Sequence, residues 1–195
     1  MRRIAVFFSG NGTDFQSLID GQNMSKFDGR IVVAISSSPD AYGIQRAKKA
    51  GIDCYVYQKS DYADAAARDA AVAETLHRYD VDMIVLAGYL GILTDKLLGV
   101  FDDIINIHPS LLPKFGGKGM YGINVHKAVI AAGEKKSGAT VHYVADGIDQ
   151  GEIIIQRETD VLPTDTPESL QQRILDTIEH TLLVEAVAML CAKRT

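Results

Sequence analysis

Five short apolar runs constrain this chain more than any other feature. They are IAVFF at 4–8, IVVAI at 31–35, YVY at 55–57, MIVLA at 83–87 and IINI at 104–107. Each is too short for a stable helix and rich in β-branched or aromatic residues, so each predicts a strand. Between the runs the apolar positions change to helical spacing. Phe15, Leu18 and Ile19 share one helix face, and Ile44 and Ala47 share another ahead of Gly51. Residues 63–78 are alanine-rich, and a short helix is predicted near 95–98. Strands that are apolar on both faces must be covered on both faces. Alternation with helices therefore predicts an α/β fold, a mostly parallel sheet with helices on either side. The pattern then changes. Residues 140–144 and 152–159 are separated by little more than the turn 146–151, which predicts an antiparallel pair at one side of the sheet. Finally, Thr166 and Pro167 read as N-cap and first helical residue. Leu170, Ile174, Ile178, Leu182 and Ala186 follow at intervals of four and predict one long amphipathic helix.

No repeat, low-complexity segment or linker divides the 195 residues, so residues 1–195 are expected to form a single domain. Hydrophobic residues make up 47 %, enough for a packed core. The net charge of −5 lacks the basic footprint of a nucleic-acid-binding protein. Cys54 and Cys191 suit neither a disulfide framework nor a metal motif. His108, His126 and His142 have no local partner spacing for zinc, so no metal is expected. No segment approaches the ~20 apolar residues of a membrane helix, and the first apolar run is too short for a signal sequence. A cytoplasmic location is expected.

Three motifs carry chemistry. The first is SGNGT at 9–13, between the first strand and the first helix. Its backbone N–H groups and the helix N-terminus can hold an anion, and it is neither a Walker A loop nor GxGxxG. Alone, it is equally readable as a plain strand-to-helix turn. The second lies at the end of the fifth strand. Asn106 and His108 are two apart and project to one side, while Pro109 forbids normal continuation. An amide and an imidazolium can both donate to a developing oxyanion. Each residue alone is more simply a cap or a satisfied side chain; the pair beside a glycine-rich loop favours catalysis. The third is DGIDQG at 146–151. Asp146 and Asp149 are ordinary turn formers, or an acid reaching His108. His142, among Val141 and Tyr143, is expected to be packed or to support the site indirectly. The loop 108–122, with four glycines and two prolines, follows a strand at the edge where open α/β sheets place ligands.

NIHPSLLPKF at 106–115 resembles the active-site signature of the folate-dependent formyltransferases. SGNGT, VLAGYLGIL at 85–93, GATVHYV at 138–144 and GIDQG at 147–151 follow the order of the members that act on glycinamide ribonucleotide. The resemblance covers nearly the whole chain and implies a Rossmann-like sheet of about seven strands. It further implies formyl transfer from 10-formyltetrahydrofolate, as co-substrate, to the glycinamide amine during purine synthesis. By the same resemblance Asn106 and protonated His108 stabilise the oxyanion. Asp149 keeps His108 protonated and positions a relay water. Gly12, Thr13 and Asp14 hold the substrate phosphate, and Glu179 its ribose. Leu90, Gly91, Ile92 and Leu93, with Asn106 and Ala145, Asp146, Gly147, Ile148 and Asp149, hold the folate. Small-molecule partners alone are implied, with no nucleic acid or membrane, in a monomer or homodimer. The chain departs from the family pattern in four places. Asp14 stands where Asn is usual, Gly91 and Ala65 stand where arginines are common, and the loop with Lys118 is longer. Among relatives of the same signature, a methionyl-tRNA formyltransferase would need an extra basic domain, and a formyltetrahydrofolate hydrolase an N-terminal one. A sugar-amine formyltransferase also shares the chemistry. A non-catalytic nucleotide-binding module would keep SGNGT but have no use for Asn106, His108 and Asp149 together.

Overall fold

The computed structural model describes residues 1–193. Strands β1 (Arg2–Phe8), β2 (Gly29–Ser36), β3 (Cys54–Val56), β4 (Met83–Leu86), β5 (Ile104–His108), β6 (Lys136–Tyr143) and β7 (Ile153–Asp160) form one sheet in the order β3-β2-β1-β4-β5-β6-β7. β1 pairs in parallel with β2 and β4, and β2 with β3; β6 and β7 are antiparallel. The helices are α1 (Thr13–Asn23), α2 (Gly43–Ala50), α3 (Ala65–Arg78), α4 (Asp95–Leu98), α5 (Ile123–Ala131), α6 (Pro167–Ile174) and α7 (His180–Ala192). The expected α/β class, the mostly parallel sheet and the antiparallel pair at its side are all present.

The chain clusters into two compact units. One comprises residues 1–105 with the residues from Val187 on, and the other residues 106–186. In the first, the runs that read as doubly buried strands are so. Ala5, Val6, Phe7, Phe8, Val33, Ile35, Ile84 and Val85 are fully buried, with Phe15 of α1 stacked on Phe8. The strand order reverses between β1 and β4, a switch point where loops diverge and leave a crevice. Ser9 beyond β1 bonds to the Gly88 carbonyl at 3.0 Å through its N–H, and its Oγ accepts from the Leu90 N–H at 2.9 Å. In the second unit Val125, Val129, Ala139, Val141, Leu170, Ile174, Leu182 and Leu183 form the core.

Two elements differ from expectation. β6 begins at Lys136 rather than at residue 140, so KSGA, polar and glycine-containing, is strand. A Cβ at Gly138 would lie 2.0 Å from the Arg157 carbonyl oxygen, so the close strand approach itself demands this glycine. The expected single last helix is interrupted. α6 starts as predicted, with Thr166 and Ser169 forming a reciprocal capping box and Pro167 in the first turn, but Leu175–Glu179 is a π turn ahead of α7. An apolar repeat of four drifts around an α-helix of about 3.6 residues per turn. One wider turn holds the stripe on the core, and such turns recur at functional sites.

Candidate active site

β5 brings the signature to its end with Asn106 half-buried and His108 only 4 % exposed. After Pro109 the chain turns into a loop fixed by β6 and β7. Thr140 Oγ1 accepts from the Leu112 N–H (3.1 Å) and donates to the Ser110 carbonyl (2.6 Å), while Gln156 Nε2 donates to the Leu112 carbonyl (3.0 Å). Phe115 (φ 56°) and Gly117 (φ 95°) then adopt left-handed backbone. That conformation aims the Phe115 carbonyl at His108 Nε2 (2.8 Å) and the Gly117 N–H at Asp149 Oδ2 (2.9 Å).

Asp149 is the hub of the second unit's polar cluster. Its Oδ2 lies 3.5 Å from His108 Nδ1 and its Oδ1 lies 3.6 Å from His142 Nε2. Its placement comes from the 146–151 turn. Gly147 and Asp149 itself take positive φ, and a Cβ at Gly151 would fall 1.7 Å from the Tyr143 carbonyl oxygen. The acid expected to reach His108 is therefore Asp149; Asp146 is exposed. Burial pushes the Asp149 carboxyl up, but His142, the Gly117 N–H and His108 together hold it below its usual range.

His142, expected to pack or to support the site indirectly, does the latter from inside the cluster. It is 2 % exposed, and its Nδ1 lies 2.8 Å from the Tyr143 carbonyl, which can only accept. Nδ1 therefore carries a proton, and Nε2 shares a hydrogen bond of 3.1 Å with the Asn106 amide. That bond orients Asn106 and leaves its second amide N–H for a ligand. The strand register shifts between Val141 and His142, a bulge of the kind that re-aims side chains beside active sites. The available sequence signal was the two-residue step from Thr140, which faces the same loop.

One expectation is corrected. His108 was read as kept protonated by Asp149. Burial pushes its pKa below the usual value and His142 adds to that, outweighing the upward pull of Asp149 and the Phe115 carbonyl. Nε2 faces the Phe115 carbonyl, which can only accept, and so carries a proton, while Nδ1 faces Asp149.

The remaining predicted residues divide by unit. In the first, Gly12 (φ 71°) precedes α1 and has no side chain to cap it. Thr13 is half-buried. Asp14 is 8 % exposed, and burial pushes its carboxyl up to about 6. Arg46 of α2, missed in the sequence, braces this turn. Its guanidinium donates to the Asn11 carbonyl (2.8 Å), Asn11 Oδ1 (2.7 Å) and Gln16 Oε1 (3.2 Å). Leu90 and Ile92 are 62 % and 66 % exposed, while Leu93 turns into the core. A Cβ at Gly91 would meet the Tyr89 ring at 2.5 Å, so a side chain here requires Tyr89 to move. In the second unit Ala145, Asp146, Gly147 and Ile148 are exposed beside the half-buried Asp149, Lys118 is exposed, and Glu179 lies 7 % exposed in the π turn. Among the described residues, no three His, Cys, Asp or Glu are grouped to hold a metal ion.

The formyl transferase family profile matches residues 2–187. This chain belongs to the formyl transferase family. The chloroplastic phosphoribosylglycinamide formyltransferase of Vigna unguiculata is 40 % identical over 194 residues, covering 99 % of this chain; the chain spans only 62 % of that relative's length. The phosphoribosylglycinamide formyltransferase of Haemophilus influenzae is 39 % identical over 174 residues, 89 % of this chain and 80 % of the relative. The crystal structure of glycinamide ribonucleotide transformylase 1 from Symbiobacterium toebii superposes with a TM-score of 0.93 at 41 % identity, covering 100 % of this chain and 89 % of that one. Among formyl transferases, then, the chain is similar throughout its length to proteins named for glycinamide ribonucleotide. Among its described residues no helix is long and apolar enough to cross a membrane.

Proposed function

We propose that this chain transfers a formyl group from 10-formyltetrahydrofolate to the amino group of glycinamide ribonucleotide, as one catalytic domain over residues 1–195. It acts in the cytoplasm, as a monomer or homodimer, in purine synthesis. The observation that most supports this is the cluster of Asn106, His142, Asp149 and His108 at the end of β5, in a chain similar to proteins of that name.

The substrate amine attacks the formyl carbon, and the carbonyl electrons move to oxygen. The free Asn106 N–H donates to that oxygen. The proton lost by the attacking nitrogen passes through a water at Asp149 to His108 Nδ1, the lone pair left by the Nε2–Phe115 bond. The growing negative charge and Asp149 favour the imidazolium, which gives the oxyanion a second donor. On collapse the C–N bond to the folate breaks and its nitrogen takes the proton, releasing tetrahydrofolate. His108 is thus neutral at the start and charged only in the intermediate. The N–H groups of Gly12 and Thr13 hold the phosphate, and Asp14, buried, leaves them in front. Glu179 holds the ribose. The folate is held by Leu90, Gly91, Ile92, Leu93, Asn106 and residues 145–149.

The test is an assay of purified protein with glycinamide ribonucleotide and 10-formyltetrahydrofolate, following tetrahydrofolate. Turnover that needs both substrates is expected. Release of tetrahydrofolate and formate without the ribonucleotide would replace this function with hydrolysis.

A further inference from the structure

Two charged residues of α3 are buried and outside the mechanism just described. Arg68 is 4 % exposed and Asp69 is fully buried. Arg68 donates to Asp69 Oδ1 from Nε (2.9 Å) and Nη2 (2.7 Å). Each partner then bonds to the same stretch of loop. Arg68 Nη2 donates to the Ile92 carbonyl at 2.8 Å, and Asp69 Oδ2 accepts from the Thr94 N–H at 2.7 Å. Thr94 is the residue before α4, and its own hydroxyl makes no capping bond. The loop is thus tied to α3 at both ends of a three-residue span. Two positions before that span and at its first residue stand Leu90 and Ile92, two large apolar side chains held out to solvent.

We propose that Arg68 and Asp69 are the positioning residues of the donor-binding loop, holding Leu90 and Ile92 in place for the fused ring of the folate. This rests on the functional reading above. A buried ion pair is weak support for stability, because desolvation offsets much of its attraction and apolar replacements are commonly tolerated. What apolar side chains cannot replace is the pair of bonds to the Ile92 carbonyl and the Thr94 N–H. Without them the loop samples more conformations, and binding must restore the productive one. Arg68 is also ruled out as a cation for the folate tail, since it is buried and bonded on both sides.

The test removes both charges at once with Arg68→Met/Asp69→Leu, which avoids stranding either one. Three measurements are made: the thermal midpoint with amide exchange at Thr94, tetrahydrofolate affinity by calorimetry, and KM for each substrate. The expected variant stays folded, exchanges its Thr94 amide faster, and binds tetrahydrofolate about tenfold more weakly, the loss of one or two charge-assisted bonds' worth of preorganisation. KM for the ribonucleotide should stay within about twofold. Unchanged tetrahydrofolate affinity despite faster Thr94 exchange overturns the proposal, as does an equal rise in both KM values. If the double variant unfolds, Asp69→Asn serves instead, with the same two outcomes. Tetrahydrofolate binding is independent of turnover. A wild-type protein that binds it but transfers no formyl group refutes the proposed reaction alone, and one that fails to bind it overturns this inference.

Discussion

An Asn106→Ala exchange removes the amide that His142 orients and with it one oxyanion donor. The expected loss is about 10² to 10³ in kcat, the usual effect of one such donor. A folded variant retaining more than about half the wild-type rate would exclude Asn106 from the chemistry. Asp149→Asn acts through two separable effects. It removes the upward pull on a His108 already held low by burial, so the imidazole titrates lower still. It also replaces the acceptor that fixes the Gly117 N–H. A one-unit fall in pKa alone, which weakens His108 as acceptor of the amine's proton, would lower the rate by at most about tenfold. Orientation effects are larger, so a loss of about 10² or more is expected. NMR titration of His108 alongside the pH–rate profile separates the two. A loss of no more than about tenfold would leave Asp149 a purely electrostatic role.

At the scale of elements, the 146–151 turn is where sequence and geometry are most tightly coupled. Gly151 admits no Cβ because the Tyr143 carbonyl oxygen occupies its place, whereas a Cβ at Gly10 meets nothing within 4 Å. Gly151→Ala should therefore shift the turn, withdraw Asp149 from His108 and lower kcat by about tenfold or more, with a stability loss of about 2 kcal/mol. Gly10→Ala, the control, should stay within about 0.5 kcal/mol in urea unfolding. If the two substitutions behave alike, steric demand at residue 151 does not set Asp149. The π turn follows the same logic. The repeat of four apolar residues predicts one long helix, but such a stripe drifts off the core of a plain α-helix, and the π turn takes up the drift.

For the whole molecule, two buried groups bind protons in opposite senses. His126 is fully buried, and burial, with His108 nearby, lowers its pKa to about 4. The unfolded chain then binds more protons than the folded one below pH ~6.5, so stability falls as pH drops through that value toward the folded pKa. Asp14, raised to about 6, does the reverse: the folded state binds more protons between pH ~4 and ~6, so its ionisation penalty grows over that window and is complete above it. The two effects oppose each other in the wild type. Asp14→Asn removes one of them. It should raise stability at pH ~7.5 and leave a profile that declines from pH ~6.5 downward. Urea midpoints at several pH values measure this. A variant no more stable at pH ~7.5 would show that Asp14 is not destabilised by burial.

Local pattern determined most of the architecture. A β-branched run flanked by turn residues is readable wherever burial on both faces leaves no polar position, as at 31–35 and 83–87, and the short 146–151 interval required an antiparallel return. The pairing of Asn106 with His108 was equally legible, since a two-residue step on a strand puts both on one side. Only the tertiary structure decided the rest. His142 lies 36 positions from the amide it orients, and no local spacing encodes such a contact. The Phe115 carbonyl reaches His108 only because an aromatic residue takes a left-handed backbone, which propensity argues against. The charge of His108 depended on a competition between burial and Asp149. Sequence supplies the acid that raises the pKa; burial, which here outweighs it, exists only once the chain has folded around the ring.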